Sequence, residues 1–369
     1  MEPCQDQPLR TGKRLSQSWK PARHPNSSFR RLTFFFPMPQ PPRSIAVIIV
    51  NYGTADLTIQ AVDSVLAQQQ AEGAKGYEAQ VHLVDNASPS GDAAVLSQAH
   101  ADRGWGTRVS LYLETENHGF GRGNNVVLDR LAAQGTPPDY VFLLNPDAQL
   151  ENDVLSILLA RAEADARIGM AGAGISLPGG RPVTAAFRFP SARADFAHAV
   201  NFGPISRLFR TVEVALPPDQ PEGPVDWVAG AAVLMRFSML QEIGFFDPVF
   251  FLYYEEVELM HRARQAGWTI LYVPQARVIH AEGAATDQKS SRTERRARPA
   301  YWYDSWRHYH AKTHGRGGAI LSGLAWMAGA GLNYVIAPLR GQAPKAPRNF
   351  YPDFWRHVMR PLIAGAPHG

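Results

Sequence analysis

Between residues 45 and 166 the 369-residue chain alternates short β-branched runs with longer stretches that carry apolar residues at helical spacing. Strands separated by helix-length segments cannot pair as hairpins, because a parallel neighbour is reached only through a crossover of a dozen or more residues. The alternation therefore predicts an α/β domain, with a mostly parallel sheet flanked by helices. Residues 45–50, 81–84, 109–113 and 141–144 are the strands it predicts, with helices over about 55–66 and 153–166.

Each predicted strand stops at polar residues. Asn51-Tyr52-Gly53-Thr54 follows the first and Asp85 the second. The fourth breaks at Asn145-Pro146-Asp147, where a proline without an N–H ends the ladder. Ligands of open α/β sheets bind outside the carboxyl ends of the strands. Asn145 and Asp147 leave hard oxygens there, suited to Mg²⁺ or Mn²⁺ carrying a diphosphate. A plain turn is the alternative. Asp85 either accepts hydrogen bonds from a ribose or base N–H or closes an Asx turn. After the third strand Gly119, Gly121 and Gly123 alternate ahead of a helix expected to open at Val126. In that stretch, with Gly121 and Asn124, backbone can approach a phosphate in front of a helix N-terminus. A dinucleotide fingerprint has different spacing and follows the first strand, which argues against an oxidoreductase.

Residues 169–224 are rich in Gly and Pro and are expected to form short strands and loops, an insertion facing an acceptor. Residues 226–236 combine a strand with a Trp and a Gly-Ala turn. Trp227 there is either a stacking platform for a sugar or base or a core residue, and Gly230 marks a turn beside it. Aromatics at 250–254 run into Glu255, Glu256 and Glu258 at a helix start, where the helix dipole favours acids. Adjacent helical residues point about 100° apart, so Glu255 and Glu256 cannot share one task. Glu258 and Arg262 have the spacing of a surface pair. Residues 268–274 read as an edge strand ended by Pro274. His280 is either structural or a nitrogen ligand to the same ion as Asp147.

The chain is 45% hydrophobic with a formal charge of +4 and a pI near 9.2. That balance suits a sizeable core and anionic partners such as nucleotide sugars or a membrane face. No basic-aromatic recognition motif appears, so nucleic acid is not an expected partner. The single cysteine, Cys4, leaves no internal disulfide and fits a reducing compartment. No secretory signal is visible, since the apolar cluster at 32–36 is cut by Pro37. The basic, Pro-rich residues 1–43 read as a tail. Residues 292–312 mix cations with aromatic rings, giving either a surface helix with its rings toward lipid or a helix packed on the rest. Residues 317–339 carry no charge and have the length needed to cross a bilayer. Ser322, Asn333 and several glycines favour a segment that lies on the membrane.

The order of these pieces resembles the family 2 glycosyltransferases of GT-A fold, in particular their rhamnosyltransferase-like branch. Residues 47–66, 83–92, 117–125, 141–148, 227–235 and 244–280 carry the resemblance. It implies a tail at 1–43, a Rossmann-like GT-A domain at 44–285 and a helical, membrane-associating extension at 286–369. It implies a cytoplasmic enzyme at the inner face of the membrane, serving cell-surface polysaccharide synthesis. Such an enzyme moves a sugar, rhamnose being favoured, from a nucleoside diphosphate sugar to a glycan or lipid-linked acceptor, with inversion. Asn51, Tyr52 and Asp85 would lie near the nucleoside. Asn145-Pro146-Asp147 matches the Asp-x-Asp metal position with an amide in place of the first acid, and His280 matches the histidine that completes the site. Glu255-Glu256 matches an acidic pair whose second member is the catalytic base, here one methylene longer than the usual Asp. Glu255 or Trp227 would touch the acceptor. Two rivals are a sugar-phosphate nucleotidyltransferase and a non-catalytic sugar-nucleotide scaffold. The first lacks its Gly-rich basic loop after strand one, and the second draws on the departures at Asn145 and Glu256.

Overall fold

The structure is a computed structural model that describes residues 41–70, 76–281 and 296–365. The tail at 1–40, with Cys4 and the cluster at 32–37, and the cations at 292–295 lie outside the described residues. The first half runs β1 (Arg43–Asn51), α1 (Ala55–Gln70), β2 (Tyr77–Asp85), α2 (Asp92–Asp102), β3 (Val109–Leu113), α3 (Gly119–Ala132), β4 (Tyr140–Leu144), β5 (Ala148–Leu150) and α4 (Val154–Ala164). The middle holds β6 (Ile168–Ser176), β7 (Pro182–Val183), β8 (Ala186–Phe187), α5 (Ala192–Val200), α6 (Gly203–Leu208), β9 (Gly223–Val225) and β10 (Trp227–Val228). Then follow β11 (Ala232–Arg236), α7 (Phe237–Ile243), α8 (Glu255–Gln265), β12 (Thr269–His280), α9 (Ala300–Leu339), α10 (Phe350–Phe354) and α11 (Arg360–Ala364).

The central sheet has the order β3-β2-β1-β4-β11-β6-β12-β5, while β10 and β8 form a separate ribbon. The first four strands are parallel, as the alternation predicts. β11 enters antiparallel between β4 and β6. One apolar cluster packs α1, α2 and α4 against one face of the sheet, and a second packs α3, α7 and α8 against the other. The parallel strands are covered on both sides, so they read as unbroken apolar runs.

Four local expectations change. Residues 169–224 are not only short strands and loops: β6 is a nine-residue central strand, and α5 and α6 are helices, α5 capped by Ser191 Oγ accepting from Ala194 N–H. The strand and Gly-Ala turn expected at 226–236 become two strands, β10 and β11, with Gly230 in the turn between them. Pro274 does not end its strand. It sits in a register shift between Val273 and Arg277, so a bulge carries β12 on to His280. Glu258 and Arg262 do pair, at 2.7 Å, but Glu258 is buried and also bonds Lys312 of α9 at 2.8 Å.

α9 begins with aromatic residues that face inward: Trp302, Tyr303, Trp306 and Tyr309 are buried. Of the two readings of 292–312, the described part follows the packed one. Gly315, at φ 69° and ψ 169°, breaks α9 into two segments. The second packs Gly323, Trp326, Gly329, Ala330 and Asn333 inward, and Asn333 donates to the Val200 carbonyl of α5 at 2.8 Å. The C-terminal helices and the sheet belong to one compact unit starting at Pro41.

Candidate active site

Asn51 and Asp85 end neighbouring parallel strands and face each other in register. Asn51 Nδ2 donates to Asp85 Oδ1 at 2.8 Å and Asp92 Oδ2 at 2.9 Å, and its Oδ1 accepts from Thr58 Oγ1 at 2.7 Å. The side chain is fully buried and its hydrogen-bonding capacity is spent within the protein. Asn51 is thus the knot joining β1, β2, α1 and α2, not a surface offered to a nucleotide. Asp85 Oδ1 also accepts from Ser88 Oγ at 2.6 Å. Tyr52 stands out at 37% exposure, the side chain of this strand end that is presented outward.

The glycine stretch differs from expectation too. The helix opens at Gly119 rather than Val126, with Gly119 N–H donating to Asn117 Oδ1 at 2.9 Å. A Cβ on Gly119 would lie 1.8 Å from the Phe251 carbonyl oxygen; one on Gly121 would meet Phe246 Cβ at 3.1 Å, and one on Gly123 would meet Val50 at 2.9 Å. Gly121 and Asn124 are buried, and Asn124 Nδ2 donates to the Phe120 carbonyl at 2.9 Å. The glycines let α3 press against β1 and the 246–255 segment. They do not form a phosphate cradle. Asn86, which sequence reasoning passed over, anchors the stretch by donating to Gly119 O and Asn117 Oδ1, each at 3.1 Å, and accepting from His118 N–H at 3.0 Å. Its one signal was its place beside Asp85 at a strand end.

The fourth strand end meets the last strand of the sheet. β5 pairs antiparallel with β12, His280 opposite Ala148. This brings His280 Nε2 to 3.0 Å from Asp147 Oδ1 and 3.3 Å from Asn145 Nδ2. His280, more than 130 positions further along the chain, thus meets Asn145 and Asp147 at one point. Turning the Asn145 amide over presents its oxygen to the same point. Among the described residues no group of three or more His, Cys, Asp or Glu surrounds a metal position. A carboxylate, an imidazole and an amide are too few to keep a resident hard cation, but they suit one that arrives with diphosphate oxygens.

The acidic pair lies one turn of chain away. Asn145 N–H donates to the Ala231 carbonyl at 2.9 Å, and the adjacent Gly230 would place a Cβ 3.6 Å from Glu256 Cβ and Cγ. The turn between β10 and β11 therefore holds Asn145, which neighbours His280, on one side and lies against Glu256 on the other. Tyr253 and Tyr254, just ahead of the acids, hold φ values of 74° and 69°. Such left-handed non-glycine residues cost roughly 1–3 kcal/mol each and collect at functional sites.

Glu255 is 2% exposed, packed under Gly121, and its Oε2 has no hydrogen-bond partner. Burial, reinforced by the neighbouring Glu256 charge, raises its pKa well above the usual carboxyl value. Burial also raises that of Glu256. Glu256 instead lines a cavity of about 290 Å³ walled by Trp227, Tyr254, Trp302 and Trp326. The pair diverges as helical geometry demands. Trp227 stacks on Phe187 at 4.0 Å and donates its indole N–H to the Arg188 carbonyl at 2.9 Å, so it is fixed on one face and open to the cavity. The cavity wall includes neither Asp147 nor His280.

The sequence profile described as "Glycosyl transferase family 2" matches residues 46–186. An N-acetylglucosaminyl-diphospho-decaprenol L-rhamnosyltransferase of Mycobacterium tuberculosis is 31% identical over 218 residues, 56% of this chain and 67% of the relative. Rhamnosyltransferase WbbL of Escherichia coli is 26% identical over 179 residues, 46% of this chain and 63% of that protein. A crystal structure of GalNAc-T7 with UDP, GalNAc and Mn²⁺ superposes with a TM-score of 0.53 at 15% identity, covering 88% of this chain and 59% of that one. That likeness is one of fold, the curled α/β sheet of GT-A proteins. The profile takes in Asn51, Asp85 and Asp147 and the rhamnosyltransferase likeness runs over two thirds of a relative: the chain belongs to the family 2 glycosyltransferases.

Proposed function

We propose that this glycosyltransferase moves rhamnose from a nucleoside diphosphate donor to a hydroxyl of a lipid-linked glycan, with inversion, at the cytoplasmic face of a membrane. The observation that carries the proposal is the Gly230–Ala231 turn, which holds Asn145 beside the Asp147–His280 pair on one side and Glu256 on the other. Donor chemistry and acceptor activation are thereby brought within one turn of each other.

Asp147, His280 and Asn145 would hold a Mg²⁺ or Mn²⁺ ion, which when bound neutralises charge on the departing diphosphate. Tyr52 and Asp85 flank the nucleoside. Glu256 takes the proton of the acceptor hydroxyl as its oxygen attacks the anomeric carbon opposite the leaving diphosphate, and a single displacement inverts that centre. A carboxylate whose pKa is raised by burial is a stronger base once ionised, so burial of Glu256 serves this role. Trp227 and Trp302 supply the apolar faces on which sugar rings pack.

The membrane reading draws on the outer face of α9. Leu321, Leu324, Leu332, Val335 and Leu339 are 43–83% exposed, and no charge lies between Arg316 and Arg340. The inner face of the same helix is buried, which suits a helix lying in the interface.

The test is a donor panel. Purified protein with Mn²⁺ is expected to hydrolyse a rhamnosyl nucleotide slowly and to transfer from it when acceptor is added. Glu256→Gln should lower transfer by about 10²–10⁴-fold, the usual reach of a general base. Asp147→Ala should shrink the Mn²⁺-dependent rise in melting temperature given by thymidine diphosphate. Unchanged transfer by Glu256→Gln would leave only a nucleotide-binding scaffold.

A further inference from the structure

Beside the Glu256 cavity lies a recess of about 50 Å³ lined by His198, Arg298, Lys345 and Trp326. His198, Arg298 and Trp326 also line the Glu256 cavity, so the two spaces adjoin. Lys345 and His198 further line a third space of about 310 Å³ that shares Trp227 with the first.

Two cations from distant parts of the chain thus meet at one histidine. Lys345 Nζ lies 3.2 Å from the His198 carbonyl and 3.4 Å from its Nδ1. The Arg298 guanidinium lies over the Trp302 ring, 3.9 Å from its centre. Among the described residues neither cation forms an ion pair with a carboxylate. The acids facing these spaces are Glu256, Glu213 and Asp195. Burial lowers the pKa of Lys345, an effect that Glu213 partly offsets, and burial raises that of Asp195 well above the ordinary value so that it favours the neutral acid. Burial and the two cations lower the pKa of His198 to about 4. With Nδ1 accepting from Lys345, the neutral ring keeps a hydrogen on Nε2 to donate. Two cations held close together in partly buried surroundings, neither in an ion pair, are costly, and a bound anion relieves that cost.

We propose that His198, Arg298 and Lys345 form the site that grips the diphosphate of the acceptor while its terminal sugar reaches Glu256. Arginine offers a planar fork to phosphate oxygens and lysine a point charge, the pairing that diphosphate recognition uses. The proposal rests on the Glu256 cavity being the acceptor cavity. It adds that the acceptor is recognised by its phosphates as well as its sugar. The same chemistry is found in an anionic lipid headgroup, and the experiment separates the two.

Geranyl diphosphate is titrated into the full chain with the donor site saturated by thymidine diphosphate and Mn²⁺, and octyl glucoside serves as a probe without phosphate. Binding of geranyl diphosphate is expected, weakened about tenfold by Arg298→Gln or Lys345→Gln and about a hundredfold by both. Affinity for octyl glucoside should change less than twofold. Arg298→Lys and Lys345→Arg, which keep the charge and guard against misfolding, should bind within about threefold of wild type. Equal binding by the double variant, or none by the wild type, overturns the proposal. So does a double variant that loses binding to phosphatidylglycerol vesicles but keeps geranyl diphosphate, which assigns the cations to headgroups. Failure to bind thymidine diphosphate at all counts against the sugar-transfer reading, and the geranyl diphosphate titration still decides this one.

Discussion

Burial gives Glu255 a protonation state that sets how the fold responds to pH. Its folded pKa is raised, so the stability it contributes is fully present below its unfolded value and is lost as pH rises through the folded value. Glu255→Gln mimics the protonated acid. The variant should melt higher than wild type at pH 8, and the gap should close as the buffer is taken toward pH 5, a comparison made by calorimetry at both values. As the proposed base, Glu256 bears on rate instead. Its raised pKa moves the acid limb of transfer to higher pH than an exposed Glu would show, and a pH–rate profile reads that limb directly. The different fates of these two acids were legible in the sequence, because helical spacing alone forces neighbours apart. The commitment of Asn51 was not. A polar residue at a strand end looks the same whether its partners are a ligand or Thr58, Asp85 and Asp92.

At the scale of the element, α3 shows why glycines mislead. Alternate glycines ahead of a helix suggest an anion site, yet here each clears a specific neighbour, and at Gly119 the backbone also sits at φ 74°. Gly119→Ala combines that strain with a Cβ placed 1.8 Å from the Phe251 oxygen. The substitution should cost on the order of 3 kcal/mol, the sum of strain and overpacking, seen as a lower urea midpoint. Because Phe251 leads into Tyr253 and Tyr254, it should also displace Glu256 and lower transfer beyond what instability explains. β12 carries the opposite lesson. The sequence supplies Pro274 as a stop signal, and only the pairing with β6 and β5 reveals a bulge that delivers His280 to Asp147. The alternation of the first four strands was legible because parallel strands buried on both faces leave an unbroken apolar record. α5 and α6 left a weaker one, being short and set among glycines and prolines.

Over the whole molecule, α9 has two unlike faces. Its inner side is part of the aromatic core and its outer side is apolar and exposed. Replacing Leu324 and Leu332 by Glu should cut binding to anionic vesicles by about tenfold or more, as expected when two buried apolar side chains are lost from an interfacial helix. Transfer to a soluble acceptor should persist, since neither residue lines the Glu256 cavity. Vesicle co-sedimentation of the double variant checks the first expectation, and retained sedimentation would remove the lipid-facing role of this surface.

Trp302 and Trp326, both from α9, close the cavity that Glu256 opens, whereas the strand ends from Asn51 to Asp147 come from the other end of the chain. The cavity therefore owes part of its wall to a stretch of gene that contributes nothing to the Asp147–His280 pair. On the proposed reading of that cavity, drift in the last seventy residues can retune what receives the sugar without disturbing what delivers it, and grafting that stretch between relatives is the way to test an exchange of recipients.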